Sequence, residues 1–241
     1  MKKRFVAAIM MITLTFVLTA CGKSDEVLAV EHAISDIGTV TLHSTDSINN
    51  AQTMYNQLME SERKKVSNYQ DLVDAIATLS QMEEAYYQDC YDVAVSKMLD
   101  TLILAEEICN TTQSIWHNSI WQIDDENTNQ YTKDPAGVFY SDFNDALINF
   151  YRSNEYQDKA DMIKSNAADI ERLIETLKEP PEKFKGNMLD AIVSYYVEYQ
   201  KFIDLALYPN ESLNSFSEKF EQIDQTSIDA YRKAAFYTSV H

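Results

Sequence analysis

The chain has 241 residues and a formal net charge of −18, and 45% of its residues are apolar. Such an acidic chain is a poor partner for nucleic acid, because binding to the phosphate backbone requires a surface rich in lysine and arginine. Only four glycines and four prolines occur, which argues against a phosphate-binding loop and against sheets with tight hairpins. The composition therefore predicts an all-α protein of long helices with few turns.

The first 20 residues have the three parts of a secretory signal peptide. Lys2, Lys3 and Arg4 form a basic start, residues 5–18 form an apolar run, and a small residue, Ala20, ends the segment. The apolar run has about 14 residues, which is fewer than the roughly 20 that a membrane-spanning helix needs. A cleaved signal peptide is therefore favoured over a transmembrane anchor.

The residues Leu18-Thr19-Ala20-Cys21 end this segment. They resemble the lipobox of bacterial lipoproteins, in which an aliphatic residue, a small or hydroxylated residue and a small residue precede a cysteine. The resemblance implies cleavage after Ala20 and transfer of a diacylglyceryl group to the thiol of Cys21. It implies a protein that is anchored in membrane lipid and faces outside the cytoplasm. The alternative is a secreted protein in which the cysteine is incidental.

Loss of the first 20 residues removes three positive charges, so the remaining chain would carry a net charge of −21. This charge opposes adsorption to anionic lipid. Attachment to the cell membrane is therefore expected to depend on the acyl chains, since two chains hold a protein stably at a bilayer.

Beyond the signal peptide at 1–20, the pattern predicts a short linker at 21–30, a helical spacer module at 31–80 and a helical bundle domain at 81–241. Three short helices are expected in the module, the first ending at Gly38 and the third capped by Asn68. The segment resembles a small helical module of Gram-positive surface and secreted proteins, which implies an architectural role without catalytic residues. The residues that carry this resemblance are Ile34, Ile37, Gly38, Val40, Thr41, Leu42, Ser44, Ile48, Ala51, Tyr55, Leu58, Arg63, Val66, Asn68, Tyr69, Leu72 and Ala75.

The bundle domain shows apolar residues in repeated steps of three and four, which predict long amphipathic helices. Short breaks separate these seams, so the helices are expected to form an up-and-down bundle, with a polar loop at 124–137. The seams run from Tyr87 to Ile120, from Tyr156 to Leu177, from Phe184 to Ala206 and from Leu213 to Tyr231. The domain resembles uncharacterised lipoproteins of low-GC Gram-positive bacteria, a family that implies no particular activity. The fragments that carry this likeness are Asp142-Phe143-Asn144, Ala146-Leu147, Leu177-Lys178, Pro180-Pro181-Glu182, Leu207, Pro209, Ser212-Leu213 and Phe216.

Residues suited to catalysis or to metal binding are scattered along the chain. Cys90 and Cys109 lie 19 positions apart in one predicted helix, which is too far for a disulfide, so both are expected to be buried free thiols. Asp125, Asn127 and Asn129 match the first half of a calcium-binding loop, but the second half is missing. No catalytic residue, metal ion or cofactor is therefore predicted, and the protein is not expected to be an enzyme.

The 15 tyrosines suggest a binding function, since exposed tyrosine and tryptophan favour protein or glycan contacts. The competing interpretation places these aromatic rings beside the core. The sequence therefore predicts a binding or scaffolding lipoprotein with an acidic, tyrosine-rich face for a protein or cell-wall partner. Two alternatives stay open: a phage superinfection-exclusion lipoprotein, and a lipoprotein that binds a small ligand or a cation in the bundle.

Overall fold

The computed structural model of the protein describes residues 22–239, and the predicted cleavage and lipidation residues, Ala20 and Cys21, lie outside them. The described chain is built from helices, which confirms the all-α prediction. The α-helices are α1 (Asp25–Ser35), α2 (Thr45–Gln57), α3 (Glu60–Arg63), α4 (Tyr69–Trp121), α5 (Asn129–Thr132), α6 (Phe143–Tyr151), α7 (Asn154–Leu177), α8 (Asn187–Leu207) and α9 (Leu213–Ala235). One turn of 3₁₀ helix, Glu182–Phe184, precedes α8.

The chain folds into two compact units, a first unit that ends at Leu79 and a second unit that begins at Ser80. The boundary lies inside α4, whereas the sequence predicted two helices there. This correction has a simple cause: residues 69–121 contain neither glycine nor proline, and their apolar residues continue at helical spacing without a gap.

The first unit packs α1 and α2 against the first turns of α4 around a small apolar core. Helix α1 begins at Asp25, inside the segment 21–30 that was expected to be a linker, because Ser24 caps it by accepting a hydrogen bond from the backbone of Val27 at 3.3 Å. The chain turns after α1 at Gly38, whose φ of +61° suits glycine. The buried core consists of Val27, Val30, Ile34, Ile37, Ile48, Ala51, Leu58, Val66, Leu72, Ala75 and Leu79.

Asn68 does not have the capping role that the sequence predicted. Its side-chain amide donates hydrogen bonds to the backbone oxygen of Glu31 at 2.9 Å and to Oγ of Ser35 at 3.3 Å. Its Oδ1 atom is buried and accepts no hydrogen bond within the described residues. Asn68 therefore fastens α1 to the start of α4 instead of capping α4.

The second unit is an antiparallel bundle of α7, α8, α9 and the part of α4 from Ser80 onward. The end of α4 contacts the starts of α7 and α9, and the start of α4's bundle part contacts their ends, so α4 is antiparallel to both. Helix α8 is antiparallel to α9 in the same way, so the four helices alternate in direction along the chain. The contacts that set this order are Tyr87–Leu177, Lys97–Asp169 and Glu107–Lys159 for α4 and α7, Tyr91–Ala234 and Trp116–Phe216 for α4 and α9, and Tyr195–Tyr231 and Phe202–Phe220 for α8 and α9.

The core of the second unit follows the predicted seams with two differences, in α4 and in α9. Met98 and Ala105 are fully buried as predicted, whereas Ile120 and Ile228, which were predicted to belong to the seams, are 42% and 38% exposed. At the end of α4, Asn118 and Ser119 are buried in place of Ile120.

Candidate interaction surface

One end of the second unit carries most of its irregular structure, and we call it the loop end. The last turn of α4, the first turns of α7 and α9 and the last turn of α8 meet there because the four helices alternate in direction. The long connection from α4 to α6 and the short connection 208–212 also lie at this end.

The last turn of α4 ends in a tight turn that exposes Trp121. Gln122 adopts a φ of 52°, and the backbone N–H of Ile123 donates to the carbonyl of Asn118 at 3.0 Å. This geometry is a Schellman-type helix end, in which a residue in the left-handed region reverses the chain. The turn leaves the Trp121 side chain 57% exposed and Ile123 40% exposed.

Asn118 then holds the connection against α4. Its side-chain amide donates to Oδ2 of Asp125 and to Oγ1 of Thr128, both at 3.0 Å. The segment predicted as a polar loop therefore has structure of its own, including the short helix α5, and it buries Tyr131. The pKa of the Tyr131 hydroxyl is raised, mainly by burial and to a smaller extent by the 2.7 Å hydrogen bond that it donates to Glu155.

Lys133 ties the two ends of this connection together. Its ammonium group pairs with Oδ2 of Asp124 at 2.7 Å and lies 4.6 Å from the ring centroid of Phe139. Hydrogen bonds from Lys133 and then from Asn129 lower the pKa of Asp124. These contacts give the loop end a defined shape next to Trp121.

The residues that match half of a calcium-binding loop form hydrogen bonds within the same connection. Oδ1 of Asp125 accepts the backbone N–H of Asn127 at 3.0 Å, and Oδ1 of Asn129 accepts the backbone N–H of Asp125 at 3.2 Å. The oxygens that a cation would need thus form turns within the loop. Within the described residues, no three His, Cys, Asp or Glu side chains are grouped so that they could hold a metal ion.

The exposed Trp121 ring stacks on His117, one turn earlier in α4, with ring centroids 4.6 Å apart. Nδ1 of His117 lies 3.2 Å from Oδ1 of Asn118, which orients the imidazole. Beside this pair lies a groove of about 410 Å³ between α4 and the start of α9. Polar side chains line most of it, namely Gln113, Ser114, His117, Asn118, Asp125, Asn214 and Ser217.

Trp116 lies on another side of α4 and is 8% exposed. Its ring packs between Phe143 at 6.0 Å and Phe216 at 6.1 Å, measured between ring centroids. It forms part of a second, more apolar groove of about 590 Å³ between α6 and the connection 208–212. We call His117, Trp121, Ile148, Tyr208 and these two grooves the loop-end surface.

The tyrosines do not form the exposed face that the sequence predicted. Of the 13 tyrosines in the second unit, six are buried, five are half-buried and two are exposed. The hydroxyls of the buried ones donate to a backbone carbonyl, donate to Glu155 in the case of Tyr131, or lie inside the core. The buried ones are Tyr87, Tyr91, Tyr131, Tyr156, Tyr195 and Tyr199, whereas Tyr86 and Tyr208, and Tyr69 of the first unit, are exposed. A tyrosine ring suits a core position of a helix even though it carries a hydroxyl group. The sequence alone therefore overestimated how many tyrosines are exposed.

The predicted buried free thiols are confirmed. Cys90 is 7% exposed and Cys109 is fully buried, and neither is in a disulfide. Burial, together with nearby Glu106, raises the pKa of Cys109 to about 12. A thiol with such a pKa is a poor nucleophile at neutral pH, so Cys109 belongs to the core.

The loop end is also strongly acidic. Residues 122–155 contain seven Asp and Glu against two Lys and Arg, and one of the two, Lys133, is paired with Asp124. The loop-end surface therefore combines exposed aromatic side chains with negative charge.

Comparison with known proteins adds no further assignment. No family model matches the chain, and no curated protein and no solved structure is similar to it. No helix within residues 22–239 is both long and apolar enough to cross a membrane.

Proposed function

We propose that the protein is a lipid-anchored binding or scaffolding protein on the outer face of the cell membrane. Its anchor is the diacylglyceryl group on Cys21, and its second unit binds a partner protein through the loop-end surface. The observation that carries the binding site is the exposed, stacked pair of Trp121 and His117 beside a defined polar groove. The basic start, apolar run and lipobox-like residues support the anchor.

A protein partner fits this surface for two reasons. Tryptophan and tyrosine are over-represented among the side chains that dominate protein–protein binding energy, and Trp121 and Tyr208 are 57% and 66% exposed at this end. The excess of acidic residues in 122–155 favours a partner with a basic contact surface. The proposal includes no catalysis.

The binding proposal is tested by cross-linking on intact cells, with mass spectrometry of the cross-linked products. Trp121→Ala removes the central side chain of the surface, and Phe236→Ala removes a side chain that is 80% exposed on the last helical turn at the other end of the bundle. We expect one dominant partner that is lost with Trp121→Ala and retained with Phe236→Ala. Because charge complementarity is screened by salt, the same partner should dissociate more readily as ionic strength rises.

A partner that survives Trp121→Ala would contradict the assigned surface, and enrichment of wall glycan in place of a protein would redirect the proposal to a cell-wall ligand. The anchor is tested separately. Cys21→Ser should abolish incorporation of labelled fatty acid and shift the protein out of the membrane fraction. Unchanged membrane attachment in Cys21→Ser would contradict the lipoprotein assignment and leave the loop-end test intact.

A further inference from the structure

The first unit contains a cluster of polar contacts that reaches back to the residue next to the predicted anchor. One carboxylate oxygen of Glu31 accepts hydrogen bonds from the backbone N–H and the hydroxyl of Ser67, at 2.6 and 2.7 Å. The same oxygen pairs with the ammonium group of Lys23, which also donates to Oγ of Ser67 at 3.0 Å. We call Lys23, Glu31 and Ser67 the Lys23 clamp.

The clamp is a charged contact that is shielded in part from water. The Glu31 side chain is 15% exposed and that of Lys23 is 35% exposed. Hydrogen bonds from Lys23, and then from the backbone and hydroxyl of Ser67, lower the pKa of Glu31 to about 2. The carboxylate is therefore ionised at neutral pH, where it can pair with the ammonium group of Lys23.

The clamp leaves almost no free chain before the folded unit. Gly22 is the only residue between Lys23 and Cys21, and Ser24 is already the N-cap of α1. A single residue spans at most about 3.6 Å. Two such steps separate Cys21 from Lys23 in sequence, so a lipid on Cys21 would be joined to the folded unit by at most about 7 Å of chain.

The start of α1, next to Lys23, marks one end of the first unit. The first turns of α1, the last turn of α2 and the segment around α3 share a groove of about 350 Å³, lined by residues that include Glu26, Val30, Met54 and Met59. Helices α1 and α2 are therefore antiparallel, and the connection 36–44 lies at the opposite end. We call the end that carries the start of α1 and α3 the anchor-side end; the Lys23 clamp runs from this end along α1 to Glu31 and Ser67.

This end suits the surface of a bilayer. Met59 is 68% exposed there, and Lys64 and Lys65 are exposed next to it in sequence. The two stretches that form this end, 23–26 and 59–65, contain four Lys and Arg and four Asp and Glu. The anchor-side end is thus neutral overall, whereas residues 36–46 at the opposite end carry Asp36 and Asp46 and no Lys or Arg. Of the two ends, the anchor-side end is therefore the one less repelled by anionic head groups.

We propose that the Lys23 clamp seats the anchor-side end of the first unit directly on the bilayer, with Met59 and Lys65 at the level of the lipid head groups. The proposal rests on the lipidation of Cys21 proposed above. The clamp turns a lipid tether, which would allow free tumbling, into a fixed attachment that sets which end of the unit faces the membrane.

The test uses the full-length lipidated protein in vesicles of phosphatidylcholine and phosphatidylglycerol. A fluorophore is placed by Lys65→Cys at the anchor-side end or by His43→Cys in the exposed connection at the opposite end. Selective labelling is feasible because Cys90 and Cys109 are buried and the thiol of Cys21 is consumed by the lipid. A quencher carried on lipid head groups should quench the label at position 65 strongly and the label at position 43 weakly.

Glu31→Gln breaks the clamp, and Glu60→Gln is the matched control, because Glu60 lies at the anchor-side end with its side chain 85% exposed. We expect Glu31→Gln to reduce the difference in quenching and Glu60→Gln to preserve it. Trypsin provides a second measurement: cleavage after Lys23 should release the protein from vesicles about tenfold faster in Glu31→Gln, because opening of the clamp exposes the bond. Ser67→Ala should give an intermediate rate, and circular dichroism checks that each variant is folded.

Equal quenching at positions 43 and 65 would overturn the seating of this end on the bilayer. Quenching and trypsin release that are the same in Glu31→Gln as in the unaltered protein would overturn the role of the clamp. Vesicle flotation separates these outcomes from failure of the anchor. A protein that does not float with vesicles overturns the lipidation and the clamp proposal together, whereas flotation with equal quenching overturns the clamp proposal alone.

Discussion

The two units of the chain are stabilised by different kinds of contact. The second unit buries 34 apolar residues in one cluster, many of them aromatic, whereas the first unit buries 11, none of them aromatic. A small unit buries a smaller fraction of its apolar surface. Polar side chains that bond across the fold therefore contribute a larger share of the stability of the first unit than of the second.

Arg63 shows how the first unit supplements its core. Its guanidinium group donates to the backbone oxygen of Leu58 at 2.9 Å and to that of Asn56, and it lies 5.8 Å from the ring centroid of Tyr55. These contacts occupy the end of α2, where carbonyl groups lack helical partners. In the second unit, by contrast, the buried polar groups are tyrosine hydroxyls and Ser, Thr and Asn side chains, and no buried residue is charged within the described part of that unit.

The largest effect is expected from Leu72→Ala, which removes a fully buried side chain from the small core. Such a truncation lowers the free energy of unfolding by about 2–5 kcal/mol, which is comparable to the whole stability of a small unit. Hydrogen exchange in residues 25–68 should therefore become fast. Both tryptophans lie in the second unit, so the denaturant midpoint of tryptophan fluorescence should stay almost unchanged.

Phe202→Ala is the matched variant in the larger core, where Phe202 is 2% exposed. It should lower the free energy of unfolding of the second unit by about 3–5 kcal/mol and shift the fluorescence midpoint. An equal shift of that midpoint by Leu72→Ala would contradict the separate stabilities of the two units.

The next effect concerns Arg63. Arg63→Ala leaves carbonyl groups at the end of α2 without their charged donor and should lower the free energy of unfolding of the first unit by about 1.5–3 kcal/mol. Lys64→Ala is the neighbouring control, since its pair with Glu60 is exposed and is worth about 0–1 kcal/mol. Urea denaturation followed by hydrogen exchange measures both variants. Similar losses for the two would remove the basis for assigning a structural role to Arg63.

A smaller effect separates two buried tyrosines of the second unit. The Tyr91 hydroxyl donates to the carbonyl of Ala234 at 2.9 Å, so Tyr91→Phe should lower the free energy of unfolding by about 1 kcal/mol. The Tyr195 hydroxyl is buried without a hydrogen-bond partner among the described residues. Tyr195→Phe should therefore be neutral or stabilising, as measured by thermal denaturation. A loss for Tyr195→Phe as large as that for Tyr91→Phe would show that the Tyr195 hydroxyl has a partner in solution.

The smallest signal is expected from the pH dependence of the first unit. Glu31 has a pKa near 2 in the folded chain against an ordinary value of 4.5. Its contribution to stability is therefore complete above about pH 4.5 and is lost as the pH falls toward about 2. Urea midpoints between these pH values should fall less steeply for Glu31→Gln than for the unaltered chain, with Glu60→Gln as control. Parallel pH profiles for all three proteins would mean that Glu31 is not bonded in solution as it is in the structure.

The chemistry of the candidate surface could be read only in part from the sequence. Trp116 and Trp121 are five positions apart, which places them about 140° apart around a helix, so periodicity predicts that only one of them faces the core. The predicted seam of α4 includes Trp116 and not Trp121, and the structure confirms this choice. The sequence does not predict which rings cover Trp116, since Phe143 and Phe216 approach α4 from other parts of the chain.

From the amino-acid sequence we could predict the all-α class, the positions of the main helices and the burial of Cys90 and Cys109, because these follow from the spacing of apolar residues and the scarcity of glycine and proline. Only the three-dimensional structure shows that α4 is continuous, that six tyrosines of the bundle are buried and that Asn68 and Glu31 bond across the first unit. Such contacts join residues that are far apart in the chain, and the direction of a side chain on its own helix does not specify which partner it meets.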